Sequence, residues 1–272
     1  MKIIHRLTFR YDSKIIAIVN ELGIPFKDGF ICVCKIAEND ARWHELSELL
    51  KPFDIVKCGH TLIAEFSKKE LDTADYLEIV SKWHHGYPEP SDTIMGFMEL
   101  TYNVQNYCQK CGIGAFQKAP FRFKKSPVWG QRNILQLNWI FDEYFVKPEI
   151  WREVFEPFGI GCRPVVLDKS GRELDSVVQL ELTELAELND LDDLPFDTCA
   201  SCGRIKYLPI TGRFMPPPNK TSAAMFRSNQ YFGSGASANR MVIVSQELFA
   251  KAQSAGLKGV SYEPCLSKQI SN

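Results

Sequence analysis

The chain has 272 residues, 45% of them hydrophobic, which is enough to bury a core without help from disulfides. Its 32 Lys and Arg stand against 33 Asp and Glu, so no global field draws it to nucleic acid or to an anionic membrane. The opening "MKIIHRLTFRYDSK" interrupts its apolar run with His5, Arg6, Arg10 and Asp12, unlike a secretory signal; no stretch reaches the roughly 18–20 consecutive apolar residues of a spanning helix, and the expectation is a soluble cytoplasmic protein.

In chain order, "FICVCKIAE" at residues 30–38 predicts a strand, with Cys32 and Cys34 on one face because side chains alternate. "SKKELDTADYLEIV" predicts a helix opened by a capping box, Ser67 with Glu70 three residues on, whose apolar side holds Leu71, Ala74, Tyr76, Leu77 and Val80. "WHHGYPEPSD", with one Gly and two Pro in close order, reads as a loop at a boundary. His84 and His85 within it read as a solvated surface feature, since a catalytic base needs a placed partner.

Further on, "NWIFDEYFV" is a candidate strand and "KPEIWREVFEPFG" a helix, with Pro148 in its first turn and Gly159 at its stop. "SVVQLELTEL" at residues 176–185 alternates as a half-buried strand does. Near the C-terminus the pattern is strand "MVIV", N-cap Ser245, a helix, Gly256 as its left-handed stop, and strand "GVSYE". "YFGSGASANR" carries two glycines without the third glycine or the context of a phosphate loop, and reads as a tight turn after an aromatic anchor. Together these elements predict an α+β fold of mixed sheets and packed helices: an N-terminal α/β subdomain over residues 1–90 and a second domain over 91–272.

Nine cysteines, an odd number, fit a reducing compartment in which thiols are buried or ligate metal. Cys32, Cys34, Cys58, Cys162 and Cys265 lie singly or alternate in apolar surroundings and are assigned to packing. The other four form two copies of CxxCG, Cys108/Cys111/Gly112 and Cys199/Cys202/Gly203. A CxxC turn sets two sulfurs on the outside of a tight bend, and the Gly that follows allows the backbone to turn its amides toward them.

Two such knuckles supply the four thiolates of a tetrahedral zinc shell, of the rubredoxin or zinc-ribbon kind. The 87 residues between Cys111 and Cys199 do not forbid a shared site, because each doubling of a loop adds only about 0.6 kcal/mol of closure entropy. They imply that the insertion, residues 112–198, is itself folded. The expected cofactor is one structural Zn²⁺ on Cys108, Cys111, Cys199 and Cys202; the rival reading is that one or both pairs are simply reduced thiols in turns. Four thiolates leave no open position for catalysis, and no catalytic residues emerge from the spacing.

The paired CxxCG motifs, followed by "YFGSGASANRMVIVSQELFAKAQSAGLKGVSYEPC", resemble the bacterial double-CXXCG motif proteins, a family similar to immunity proteins of polymorphic and contact-dependent toxin systems. The likeness rests on Cys108, Cys111, Gly112, Cys199, Cys202, Gly203, the turn at 231–235 and the helix start "VSQEL", and extends over residues 107–265. It implies a cytoplasmic, non-enzymatic protein that binds one cognate toxin domain. The acidic run Glu184, Glu187, Asp190, Asp192 and Asp193 is the candidate contact for a basic toxin. The alternative is a zinc-ribbon protein that binds nucleic acid or regulates, supported by "FRFKK" at residues 121–125, where stacking rings alternate with cations; that run equally suits a strand with Phe inside, so nucleic acid is not the expected partner.

Overall fold

The computed structural model describes residues 1–53, 59–92, 94–210 and 214–267. The chain forms two compact units, one of Met1–Glu70 with Ile210–Phe214 and the other of Leu71–Pro209 with Met215–Asn272. The architecture is α+β with mixed sheets and few helices.

In the smaller unit, β1 (Lys2–Arg10), β2 (Phe26–Lys27), β3 (Ile31–Ala37) and β4 (His60–Glu65) make an antiparallel sheet in the order β2-β3-β1-β4. Leu7 lies opposite Cys34 and Phe9 opposite Cys32, and all four are buried with Val19 and Leu46 from the helices Ser13–Glu21 and Arg42–Leu50. The two cysteines are therefore core residues, as expected, and burial pushes the Cys34 thiol up to about 11. Asp12 starts the first of these helices by accepting from the amides of Lys14 and Ile15. Cys58 falls outside the described residues.

The capping box forms: the Glu70 carboxylate accepts from the Ser67 amide at 2.8 Å, and the Ser67 hydroxyl accepts from the Glu70 amide at 3.3 Å. The helix it opens covers only Lys68–Thr73. Its expected continuation is instead β5 (Tyr76–Ser81), which buries Leu77 and Ile79 with strand alternation and pairs with two C-terminal strands. Residues 71–90, expected in the N-terminal subdomain, thus belong to the larger unit.

Its remaining strands are β6 (Tyr102–Asn103), β7 (Phe116–Gln117), β8 (Arg122–Phe123), β9 (Ile134–Leu137), β10 (Ile140–Val146), β11 (Gly161–Leu167), β12 (Glu173–Glu181), β13 (Leu185–Ala186), β14 (Phe196–Thr198), β15 (Ile205–Tyr207), β16 (Met225–Phe232), β17 (Asn239–Ser245) and β18 (Val260–Pro264). Among the described residues they make a five-stranded sheet, β8-β11-β12-β10-β9, a seven-stranded one built on β14-β15-β16-β17-β5-β18 with β13 beside β16, and the short ladder β6-β7.

The five-stranded sheet is covered on both faces. Tyr144, Val146 and Leu180 enter one core with Val244, Leu248 and Phe249, whereas Phe145 and Val177 enter a second with Phe97, Phe121 and Phe123. Burial on both sides explains why all four positions of "ILQL" in β9 are buried without alternation, Gln136 included. The residues 147–159 form a composite helix with Pro148 at its start and Gly159 in the left-handed conformation at its end, but its middle turn, Trp151–Phe155, is a π-helix. The C-terminal strand, helix and strand stand where the sequence puts them, with Ser245 capping Gln246–Ser254 and Gly256 at φ 67°.

Candidate metal centre

Each knuckle is the tip of an antiparallel ladder, the first between β6 and β7 and the second between β14 and β15. Their backbones are hydrogen-bonded alike. The Cys108 amide donates to Ile113 O at 2.9 Å and the Gly112 amide to Cys108 O at 2.7 Å; the Cys199 amide donates to Arg204 O at 2.9 Å and the Gly203 amide to Cys199 O at 2.8 Å. Gly112 and Gly203 close the two turns at φ 82° and 71°, a region that favours glycine.

The fold brings the two tips together, and the four sulfurs lie within 4.8 Å of one another. Cys108 and Cys199 are 3.8 Å apart and Cys111 and Cys202 3.7 Å, far beyond a disulfide and close to the edge of about 3.8 Å that Zn–S bonds of about 2.3 Å give a regular tetrahedron. The donor set therefore fits a thiophilic metal ion bound by all four predicted residues. The amides of Cys111 and Lys110, aimed at the Cys108 sulfur, hold its thiol down at about 6, and those of Ser201 and Cys202 lower Cys199; burial instead pushes Cys111 up to about 12.

Two cations that the sequence reading passed over join the knuckles. Arg204 donates through Nη1 to Asn106 O at 2.7 Å and to Ile113 O at 2.8 Å, so a residue of the second knuckle clasps the first. Lys206, only 3% exposed, donates through Nζ to the carbonyls of Cys111 at 3.0 Å, Gly235 at 2.6 Å and Ser237 at 2.9 Å. A buried ammonium is tolerated only with its hydrogen bonds satisfied, and these three carbonyls take up its three hydrogens. The legible signal was the alternation in "RIKY", which turns Ile205 outward and Lys206 inward.

The turn after β16 is the third part of the centre. Its carbonyls hold Lys206, and a Cβ on Gly112 would meet Ala236 O at 2.4 Å, which makes glycine necessary there for space as well as conformation. The glycine-rich stretch is thus a tight turn, as expected, and it seats against the first knuckle.

The other singled-out residues lie elsewhere. His84 is exposed; His85 is half-buried, against the Phe123 ring and within 3.1 Å of Lys125 O through its ring nitrogen, which differs from the solvated position expected of both. Burial lowers the pKa of each, which favours the neutral imidazoles. In "FRFKK", Phe121 and Phe123 are buried, as the strand reading requires. Cys265 is buried and Cys162 half-buried. No helix among the described residues is long and apolar enough to cross a membrane. In comparisons with known proteins, no family model matches the chain and no curated protein matches it.

Proposed function

We propose that the four-cysteine cluster holds a structural Zn²⁺ and that the protein is a non-enzymatic, immunity-type binder that neutralises a cognate toxin domain by occlusion. The observation that carries the metal assignment is the cluster of four sulfurs within 4.8 Å of one another, two of whose separations, 3.8 and 3.7 Å, suit zinc, and four thiolates would fill its coordination shell. The metal would join two hairpins that the chain separates by 91 residues. Zinc supplies cohesion at such a closed site.

The binding role rests on the likeness of the paired CxxCG motifs to the double-CXXCG proteins, and on a surface suited to it. Along one edge of β16, β13 and the β14-β15 hairpin present Leu185, Phe196 and Ile205, each about half exposed. Glu184, just before β13, and Glu187, Asp190, Asp192 and Asp193, in the segment that joins β13 to β14, are exposed. Apolar anchors beside a charged rim are the anatomy of a tight, electrostatically steered interface. The rival nucleic-acid reading loses its stacking surface, since Phe121 and Phe123 are in the core.

Native mass spectrometry of protein purified without added metal tests the first half: one zinc per chain, absent from Cys108→Ser and from Cys199→Ser, is expected. No metal in the wild type removes the assignment. The second half is tested in bacteria that express a toxin-like domain drawn from the reading frames neighbouring that of this protein. Co-expression of the wild type is expected to restore growth, and reversal of three charges among Glu184, Asp190 and Asp192 to weaken capture and flatten its salt dependence. Unchanged capture by that variant rejects the acidic contact.

A further inference from the structure

The larger unit contains a half-enclosed cavity of about 700 Å³, within the range of small-molecule sites. Gly112 and Gly114 of the first knuckle and Ala236 of the glycine-rich turn form part of its wall, so the metal centre shapes it. Its floor is a continuous chain of hydrogen bonds. Gln117 and Gln179 exchange two amide bonds at 2.8 and 2.7 Å, Gln179 donates to Glu143 at 2.9 Å, and Glu143 pairs with Arg227 at 2.5 Å. Gln179 and Glu143 are 1% and 5% exposed.

A buried polar row is expensive in a core that apolar residues would fill as well. Its position under an open cavity gives it another use: the amide hydrogens of both glutamines are engaged, Gln117 donating also to Ala119 O, so the row offers the remaining hydrogens of Arg227 as donors and the spare lone pairs of its amide and carboxylate oxygens as acceptors. The cavity walls carry three carboxylates, Asp142, Glu143 and Glu181, and three guanidinium groups, Arg163, Arg227 and Arg240. Arg163 is bound to Glu181 at 2.6 Å and Arg227 to Glu143, while Arg240 lies over the Tyr231 ring and donates to Ser228 O at 3.1 Å. The two signs are equal in number, so the walls carry no net charge to draw an ion, and a neutral ligand leaves both ion pairs intact.

The upper walls are flat. Tyr102, Trp139, Phe141 and Tyr231 face the same space, and Phe141 is 48% exposed. Trp139 has φ 69° in the two-residue turn between β9 and β10, a conformation that suits Gly or Asn and is strained for an indole. Strain of this kind persists where the surroundings impose it, and here it places a large ring at the cavity.

We propose that this cavity binds an uncharged, planar, hydrogen-bonding heterocycle of nucleoside type, stacked on the aromatic wall with its edge toward the row from Gln117 to Arg227. Glu143, which burial raises to about 7 against the pull of Arg227, already accepts from Gln179 and pairs with Arg227, and its spare lone pairs add acceptor capacity at the centre of the row. Leu185, an apolar anchor of the proposed toxin contact, also lines this cavity, and nucleoside binding does not presuppose that contact.

The test is isothermal titration of the metal-loaded protein with adenosine, guanosine, cytidine and uridine, and with each 5′-monophosphate. At least one nucleoside is expected to bind one per chain with a Kd below about 1 mM, and its monophosphate more weakly. Phe141→Ala, at an exposed wall position, is expected to weaken binding about tenfold by removing a stacking surface. Glu143→Gln is expected to shift the preference among bases; should that variant not fold, Phe141→Ala decides. Absence of binding by all four nucleosides, tighter binding of a monophosphate, or full affinity in Phe141→Ala overturns the proposal.

Discussion

The two knuckles share one hydrogen-bond pattern and one sequence motif, yet they sit in different surroundings. The first is built into the core: Cys111 and Ile113 are buried, Gly112 is crowded by Ala236 O, and Lys206 and Arg204 both bond to its carbonyls. The second faces outward: Cys202 and Ile205 are exposed, and a Cβ on Gly203 would meet nothing within 4 Å. One half of the sulfur cluster is pre-positioned by packing, and the other is a hairpin held against it through sulfur and two cations. Equivalent positions in the two motifs should therefore respond unequally to the same substitution.

The largest effect is expected where the comparison vanishes. Serine at any of Cys108, Cys111, Cys199 or Cys202 should release the metal, and with free zinc about 1,000-fold above its Kd the lost stabilisation is ~4 kcal/mol, readable by denaturant titration with and without a chelator. A metal-bound Cys202→Ser protein of full stability would break the shared-site assignment. Next come the glycines. Gly203→Ala should cost about 1–2 kcal/mol for the left-handed backbone alone, whereas Gly112→Ala adds overpacking against a backbone carbonyl, about 1–3 kcal/mol more. Equal losses would mean that the turn after β16 yields and that the two knuckles are not differently held.

A smaller effect separates the cations. Lys206→Met strands the carbonyls of Cys111, Gly235 and Ser237 and should cost about 1–3 kcal/mol while weakening metal affinity. Arg204→Ala, at a half-exposed position, should cost about 1 kcal/mol.

The last prediction supplies a control away from the knuckles. Burial, with Glu263 opposite it in the next strand, raises Glu78 on β5 to about 8 from an ordinary 4.5. Between those values the folded state binds the proton that the unfolded state has released, so stability falls as pH rises through that window. Glu78→Gln should gain on the wild type from pH 5 to pH 8 in thermal melts while retaining its metal. A parallel pH profile would show that Glu78 does not titrate in this way.

The parts of the fold that were legible are those fixed by near neighbours. Ser245 and Gly256 bracket their helix, Ser67 and Glu70 form their box, and the alternation at Cys32 and Cys34 marks a core strand. The error at residues 74–80 has a physical cause: an amphipathic run of Tyr, Leu, Ile and Val serves either period, and β17 and β18, more than 150 residues away, supply the ladder that decides for strand. The four ligands were readable because chemistry demands them in CxxC pairs. The polar row of Gln117, Gln179, Glu143 and Arg227 was not, because its members come from four separate strands and each alone looks like an ordinary surface residue.

The order of synthesis follows from the 91 residues that separate the paired sulfurs. A ribosome delivers Cys108 and Cys111 early, and the metal shell remains half-built until Cys202 has left the exit tunnel. By then the strands β7 through β14 have been made, all five of the β8-β11-β12-β10-β9 sheet among them. Capture of a metal by all four sulfurs would thereby be a late event in the birth of this protein, one that fastens the β6-β7 ladder to the β14-β15 hairpin.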